Sequence, residues 1–259
     1  MNAGFGMIGE HLTAPVHPSK PPVFVGGCGH SGTTLAKELL CAHPAIQRTP
    51  QGINLFDLDA GTRQHTIAEW NADCARLRRP RWLAKSASYV RNIEDIFGAF
   101  PLAHMVLMIR DGRDVALSLR KRDDLESGVQ RWLSDNTAAK PFFADPRLLT
   151  VRYEQLVRAP EATMRTVLEF LGEPYDADIF EFWQANRRRY EVPDGLGRSL
   201  HRSQDQSDFM TLRHWQVSQP LYDGSGRWRS ELHAHEKAYI KRHANQLLLE
   251  LGYLQDDPW

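Results

Sequence analysis

Residues 23–40 have the sequence VFVGGCGHSGTTLAKELL, and this stretch decides the fold. It begins with a short apolar run that glycines stop, and its leucines recur after Thr33 at the spacing of one helix face. The pattern predicts a strand, a glycine-rich loop and a helix, which is the repeating unit of parallel α/β sheets. We expect the helix to end before Pro44, because the residue that precedes a proline is pushed out of the helical region.

The same alternation continues along the chain. Strands are predicted at 105–109 and 148–153, and helices at 89–97, from 115 onward, and at 162–171, 179–183 and 234–251. Residues 45–80 and 187–230 have no clean period, and we expect both to be irregular, the first forming a cleft wall. The chain is therefore predicted to have an α/β fold with a P-loop-type central parallel β-sheet flanked by helices on both faces. Residues 1–22 are expected to be a loose lead-in to one domain, 23–259.

The composition excludes several classes of protein. Of the 259 residues 42% are hydrophobic, which is enough for a sizeable core. Lys plus Arg equals Asp plus Glu at 32 each, so no net field favours a nucleic acid or an anionic membrane. The three cysteines form no CxxC pair, and no secretory leader, membrane-length apolar run or metal-ligand spacing is present. These features predict a soluble, cytoplasmic protein with no metal and no membrane span.

The glycine loop, residues 26–34, has the features of an anion-binding site. Its glycines let backbone N–H groups turn inward, and the N-terminus of the following helix adds partial positive charge. Counted from Gly27, the pattern G-x-x-x-x-G-T-T is a Walker A loop with Thr33 in place of the lysine. That departure disfavours an ATPase or a kinase, which use the lysine on the β- and γ-phosphates. By itself, the loop leaves open a glycine-rich turn without a ligand.

A second motif lies at residues 107–118, LMIRDGRDVALS. An apolar strand delivers Arg110 to the carboxyl edge of the sheet, where open α/β sheets bind their ligands. Ser118 lies about two turns into the next helix and is placed to reach the same anion. The alternative is a surface Arg110 that pairs with Asp111 or Asp114.

The two motifs together resemble those of the PAPS-dependent sulfotransferase superfamily, on its bacterial and tyrosyl-protein branch. PAPS is 3′-phosphoadenosine-5′-phosphosulfate. Residues 29–34, GHSGTT, are similar to the family's PRSGTT segment, and residues 110–118 to its RDxRDxxxS segment. Residues 226–229, GRWR, resemble the segment that closes over the nucleotide, and YEQLV at 153–157 resembles the YEDLV of bacterial members. The resemblance covers about residues 23–232.

The resemblance implies which residues form the site. The glycine loop would hold the 5′ end of PAPS, while Arg110 and Ser118 would hold the 3′-phosphate. The implied cofactor-binding residues are Gly29, His30, Ser31, Gly32, Thr33, Thr34, Arg110, Ser118, Arg227 and Trp228. The product would be the 3′,5′-bisphosphate PAP, and the transfer would require no metal.

Catalysis of sulfuryl transfer needs a cation at the leaving oxygen and a base for the acceptor hydroxyl. Lys85 is the predicted cation, because it lies before the second strand in a segment similar to the family's Lys-Thr-Pro. His30 stands where the family has a basic residue, and it is a candidate donor, base or loop cap. The family's glutamate is expected where this chain has Pro50 and Gln51, neither of which accepts a proton. Either His30, Asp57 or Asp59 is then the base, or the acceptor needs little help from one.

The sequence leaves the acceptor open. The segments expected to bind it, 45–80 and 187–225, have no pattern that specifies a substrate, so the partner is a small-molecule, sugar or peptide hydroxyl. A homodimer is also left open. The run Arg187-Arg188-Arg189 either contacts an anionic acceptor or forms a solvated helix end. The competing functions are a P-loop kinase or NTPase, disfavoured by the absent lysine, and a non-catalytic nucleotide-binding protein, suggested by the missing acid.

Overall fold

A parallel sheet of short strands forms the centre of the fold. The computed structural model describes residues 18–120, 124–191, 211 and 214–254. Within these residues the strands are β1 (Val23–Gly26), β2 (Ile46–Arg48), β3 (Arg81–Lys85), β4 (His104–Ile109) and β5 (Leu148–Arg152). All pair in parallel, in the order β2-β3-β1-β4-β5. The strand that leads into the glycine loop, β1, is therefore the central one.

Helices follow the strands along the described part of the chain. They are α1 (Thr33–Ala42), α2 (Ala60–Arg76), α3 (Ile93–Ala99), α4 (Gly112–Leu119), α5 (Leu125–Ala139), α6 (Tyr153–Arg158), α7 (Pro160–Phe170), α8 (Phe182–Tyr190), α9 (Trp228–Glu231) and α10 (Ala234–Glu250). Short 3-10 turns at Leu55–Asp57 and Ala87–Arg91 follow β2 and β3.

Both faces of the sheet are covered by helices. Side chains alternate along β1, so that Val23 and Val25 join one core and Phe24 joins the other. Residues of α1 and α7 complete the first core, and residues of α2 and α3 complete the second. A third cluster joins α4, α5, α9 and α10 around Trp132 and Trp228. This arrangement confirms the predicted α/β fold with a parallel sheet between helices.

Residues 45–80 are not irregular, so that prediction is wrong. They contain β2 and the 17-residue helix α2. The buried side chains of α2 are Thr66, Trp70 and Cys74, which form one i, i+4, i+8 stripe. So narrow a stripe on an otherwise polar helix gives no clear apolar period, and the sequence pattern missed it.

Two further segments differ from the sequence-based expectations. Lys85 was expected just before a strand, but it is the last residue of β3. No helix is predicted from the sequence at α5, because its buried positions include Gly128, Asp135 and Asn136 as well as apolar residues. Polar residues on the buried face weaken the periodic signal that identifies a helix.

Two predicted segments fall partly outside the described residues. Residues 192–210, 212 and 213 of the segment 187–230 lie there, as do residues 1–17 of the lead-in. The described end of the lead-in, 18–22, is anchored rather than loose. Lys20 Nζ lies 2.7 Å from a carboxylate oxygen of Glu173, and its backbone N–H donates to the carbonyl of Pro80 at 2.9 Å.

Candidate active site

The glycine loop follows β1 at the carboxyl edge of the sheet. Gly27 and Gly32 have φ angles of +139° and +89°, a region that side chains disfavour. A Cβ on Gly27 would lie 2.2 Å from the carbonyl oxygen of Met108, and one on Gly32 would lie 2.7 Å from the ring of Tyr153. The path of the loop therefore depends on glycine at both positions. His30 also has a positive φ of +68°, which is uncommon for a residue with a side chain.

The start of α1 has the form of an anion site. Thr33 and Thr34 occupy its first turn, and its N-cap, Gly32, makes no side-chain hydrogen bond to the helix N–H groups. The hydroxyl of Ser31, a residue that is 1% exposed, has no hydrogen-bond partner among the described residues. A buried polar group in this state needs a ligand or water to satisfy it. The residues present therefore fit an anion of phosphate or sulfate size.

Arg110 directly follows β4 and reaches back to the glycine loop. Its Nη1 donates to the carbonyl of His30 at 3.0 Å, and its Nη2 donates to the carbonyl of Gly224 at 2.7 Å. Its guanidinium carbon lies 4.1 Å from the centre of the Tyr153 ring, a cation–π contact. The Nε of Arg110 is buried without a hydrogen-bond partner among the described residues. The side chain is thus held beside the loop, with its Nε–H group unsatisfied.

Ser118 contacts the loop from α4. Its Oγ lies 2.8 Å from Nδ1 of His30, so the structure brings Arg110, Ser118 and His30 together. The alternative pairing of Arg110 with a neighbouring acid is not found among the described ion pairs. Instead, Arg113 pairs with Asp111 at 2.8 Å, which leaves Arg110 directed at the loop.

The closing segment, residues 226–229, is attached to α4 through its backbone. Asp114 accepts hydrogen bonds from the N–H of Gly226 at 2.6 Å and of Trp228 at 3.0 Å. Trp228 is buried, with its ring centre 3.8 Å from the guanidinium carbon of Arg113, so its indole belongs to the third core cluster. Arg227 is exposed and pairs with Glu231 at 2.7 Å. Of the two residues predicted here, Arg227 is the one at the surface.

Two acids near Arg110 bind backbone donors. Burial raises the pKa of Asp114, and the N–H groups of Gly226 and Trp228 act against that shift. Burial also raises the pKa of Glu154, whose Oε1 accepts from the N–H of Asp111 at 3.0 Å. Because their oxygens receive backbone hydrogen bonds, these carboxyls hold the site together.

Lys85 ends β3 beside the glycine loop. In the sheet register it lies opposite Val25 of β1, and the N–H of Ser86 donates to the carbonyl of Val25 at 3.2 Å. The carboxyl ends of β3, β1 and β4 therefore carry Lys85, the glycine loop and Arg110 at one edge of the sheet. This edge is where open α/β sheets bind ligands.

The candidate bases occupy different settings. Gln51 lies in an exposed turn. Asp59 is the N-cap of α2 and accepts from the N–H of Thr62 at 3.0 Å and from its hydroxyl at 2.6 Å. The hydrogen bond from the Thr62 hydroxyl, with that from its N–H, lowers the pKa of Asp59. Asp59 is therefore a helix cap and a weakened base.

Asp57 is connected to the end of β3. Its Oδ1 accepts from Nδ2 of Asn54 at 2.9 Å, and the same Nδ2 lies 3.1 Å from the hydroxyl of Ser88. The hydroxyls of Ser88 and Ser86 are 2.7 Å apart. This chain of hydrogen bonds joins Asp57 to the residue that follows Lys85, a link that Asp59 lacks among the described contacts.

Sequence reasoning missed two residues of the site. Asp114 belongs to the second motif, and its place there was the available signal, although nothing local shows that it binds a segment 112 positions away. Arg131 of α5 approaches the loop closely, because a Cβ on Gly29 would lie 3.1 Å from its Nη2. No sequence signal indicated Arg131, since its helix was not predicted.

The described residues contain neither a metal-binding cluster nor a membrane-spanning helix. No group of three or more His, Cys, Asp or Glu side chains there is arranged to hold a metal ion. None of the described helices has both the length and the apolar character needed to cross a membrane. The three cysteines, Cys28, Cys41 and Cys74, are free thiols.

The fold and the site define an α/β protein with a glycine-rich loop at the carboxyl edge of a parallel sheet. Residues 57–177 match the model of the sulfotransferase family. The match includes Lys85, Arg110 and Ser118 and begins after the glycine loop. It confirms the resemblance to the sulfotransferase superfamily that the two motifs predicted.

The chain is also similar to curated protein-tyrosine sulfotransferases. The chain is 29% identical over 209 residues to protein-tyrosine sulfotransferase A of Caenorhabditis elegans, and 28% identical over 207 residues to protein-tyrosine sulfotransferase 1 of Danio rerio. These alignments cover 64% and 65% of the chain, but 53% and 58% of the relatives. The chain therefore spans little more than half the length of these relatives.

Solved structures share the fold over most of the chain. The sulfotransferase domain of the Synechococcus olefin synthase has a TM-score of 0.60 and 21% identity, covering 92% of this chain and 97% of that domain. A mouse sulfotransferase complexed with PAP has a TM-score of 0.53 and 11% identity, covering 91% of this chain and 86% of that one. At these identities the likeness establishes the fold.

Proposed function

We propose that this chain is a sulfotransferase that transfers the sulfuryl group of PAPS to an acceptor hydroxyl and releases PAP. The observation that carries the proposal is the single sheet edge at which the glycine loop, Lys85, Arg110 and Ser118 meet. A loop with threonine in place of the Walker lysine fits an anionic donor that is not bound as a Mg²⁺–nucleotide. The mouse structural neighbour, complexed with PAP, supports the same choice of donor.

In this proposal the donor is bound at both of its charged ends. The N–H groups of the glycine loop and the hydroxyls of Ser31, Thr33 and Thr34 bind the 5′ end. Arg110 binds the 3′-phosphate together with Ser118. Arg227 lies between Gly226 and Trp228, whose N–H groups are bound by Asp114. We propose that this attachment holds its exposed side chain beside the nucleotide.

The chemical step is an in-line displacement at sulfur. The bond from sulfur to the bridging oxygen of PAPS breaks as the acceptor oxygen bonds to sulfur, and negative charge develops on the leaving phosphate oxygen. Lys85 neutralises that charge from the end of β3, and His30, held by Ser118, donates to the 5′ end. The acceptor proton passes to the carboxylate of Asp57. Because the chain's own residues supply the positive charge, the reaction needs no metal.

The acceptor and the compartment belong to the same proposal. Two relatives are named protein-tyrosine sulfotransferases, so a tyrosine phenol is the first hydroxyl to test, beside sugar and small-molecule hydroxyls.

The three cysteines are free thiols, and burial raises the pKa of Cys41 and Cys74 to about 11. Neutral, unpaired thiols fit a reducing compartment such as the cytoplasm.

The proposal is tested first by ligand binding. We expect 3′,5′-ADP to raise the melting temperature more than ATP with Mg²⁺ does, and Arg110→Ala to weaken 3′,5′-ADP binding about 10- to 100-fold through loss of a charged hydrogen bond. Arg76→Ala, on the exposed side of α2, is the matched control and should bind normally. The opposite ligand preference would contradict the proposal.

Transfer itself is the second test. Incubation with ³⁵S-labelled PAPS and a library of tyrosine peptides, sugars and phenols should give a labelled product and PAP in equal amounts. Binding of 3′,5′-ADP without transfer to any hydroxyl would favour the non-catalytic nucleotide-binding protein.

A further inference from the structure

The glycine loop lacks a full positive charge of its own. Between Gly26 and Thr34 it contains no lysine or arginine. The 5′-phosphosulfate of the proposed donor carries two negative charges, whereas a helix N-terminus supplies only about half a unit of positive charge. An unpaired charge is costly in a partly buried site, and Lys85, at the end of β3, balances only one of the two.

Arg131 brings a second cation to the loop from α5. A Cβ built on Gly29 would lie 3.1 Å from Nη2, 3.2 Å from the guanidinium carbon and 3.5 Å from Nη1 of Arg131. The whole guanidinium therefore faces Gly29, the residue before His30. Any residue with a side chain at position 29 would crowd it, so the glycine makes this close approach possible.

Arg131 is held in place by Asp135. The carboxylate of Asp135 is 3% exposed and lies 3.6 Å from Nε of Arg131, one helical turn away. The same carboxylate lies 2.5 Å from Nε of Arg91, at the end of the 3-10 turn that follows β3. Asp135 thus engages Nε and leaves the Nη edge of Arg131 directed at the loop. The side chain of Arg131 is 43% exposed, so a ligand in the loop has access to it.

The neighbouring thiol does not reduce this positive charge. Cys28 is buried in the loop, and its burial, together with Asp135, raises its pKa well above the ordinary range. The thiol is therefore neutral at physiological pH. Stabilising α5 is a weaker explanation for the position of Arg131. Asp135 forms its shorter ion pair with Arg91, at 2.5 Å, and lies 3.6 Å from Arg131.

We propose that Arg131 is a donor-binding residue that contacts the 5′-phosphosulfate at the Gly29 side of the loop, with Asp135 as its positioning residue. The proposal rests on the sulfotransferase function proposed above. It assigns the two arginines to opposite ends of the donor, Arg131 to the 5′ end and Arg110 to the 3′-phosphate.

The test compares two probes that differ only at the 5′ end, 3′,5′-ADP and adenosine 3′-phosphate. Arg131→Gln should weaken binding of 3′,5′-ADP about 10- to 100-fold, as expected for a lost charged hydrogen bond, and leave adenosine 3′-phosphate within about twofold. Arg165→Gln removes a similarly exposed arginine that pairs with Glu161, and it should change neither affinity. Both affinities are measured by calorimetry or NMR titration, with the melting temperature recorded for each variant.

A rescue experiment separates ligand binding from a structural role. His30→Arg returns a cation to the loop. In the Arg131→Gln variant it should raise the 3′,5′-ADP affinity, and this gain should be at least about fivefold larger than the gain from His30→Arg in the unsubstituted protein. Equal weakening of both probes, or no weakening of either, would overturn the assignment. If the unsubstituted protein fails to bind 3′,5′-ADP at all, the sulfotransferase proposal fails with it, whereas normal binding with an unaffected Arg131→Gln variant removes Arg131 alone.

Discussion

The donor side of the site and the acceptor side are built differently. The donor side consists of the glycine loop and the Arg110 segment, which follow the adjacent strands β1 and β4. Its geometry comes largely from backbone, with glycines at positive φ and helix N–H groups. The acceptor side that we propose, near β2 and β3, consists of a turn at Gln51, the 3-10 turn Leu55–Asp57 and the cap of α2. Its chemistry depends on individual side chains.

The difference explains why the donor is easier to infer than the acceptor. A backbone-built anion site needs particular residue types at fixed local spacing, and such spacing is visible in the sequence. A base needs only one carboxylate or imidazole at the correct place, and residues distant in sequence can supply it. In the proposed mechanism, the donor site therefore needs no change where the Gln51 region replaces the family's glutamate, and Asp57 supplies the base instead.

The largest effect is expected at Lys85, where the two sides meet. Lys85→Ala should lower kcat about 100- to 1000-fold, because it removes the cation at the leaving oxygen, and 3′,5′-ADP affinity should change far less. Lys140→Ala, which breaks a surface ion pair with Glu250, is the control. Steady-state kinetics with labelled PAPS measures both. If Lys85→Ala weakened 3′,5′-ADP binding by the same factor as it lowered kcat/KM, Lys85 would act in donor binding and not in the chemical step.

A smaller effect is expected from the proposed base on the acceptor side. Asp57→Asn should lower kcat about 100-fold, since the amide accepts no proton. Asp59→Asn should leave kcat unchanged, because Asp59 caps α2 and its hydrogen bonds from Thr62 lower its pKa. Kinetics at saturating PAPS distinguishes the two variants. If neither substitution lowers kcat, the base lies elsewhere, and His30 is the remaining candidate.

The smallest effect concerns the backbone of the donor side. Gly27→Ala should lower the free energy of unfolding by about 2 kcal/mol or more, because the new Cβ would meet the Met108 carbonyl at 2.2 Å. Gly98→Ala in α3 meets no atom within 4 Å and should be neutral or stabilising, since alanine favours a helix. Urea denaturation measures both. Equal stabilities would mean that the loop tolerates a side chain and is not fixed by its backbone.

Local pattern accounts for the parts of the fold that the sequence predicted correctly. The β1–loop–α1 unit, β4, β5 and the final helix α10 all have apolar runs or periods strong enough to identify them. α2 and α5 were missed because their buried faces are narrow or include polar residues such as Thr66 and Asp135. Lys85 was placed on the wrong side of its strand, because the three apolar residues of β3, Trp82, Leu83 and Ala84, are too few to identify a strand.

The sequence by itself determined that a glycine-rich loop follows β1 and that Arg110 lies at the same sheet edge. Both follow from short-range spacing, and parallel strands bring their carboxyl ends together. Only the tertiary structure decided the strand order, the attachment of the closing segment to Asp114, the hydrogen-bond path from Asp57 to Ser86 and the approach of Arg131 to Gly29. These contacts join residues that lie tens of positions apart, so they depend on how helices pack on the sheet and leave no trace in local spacing.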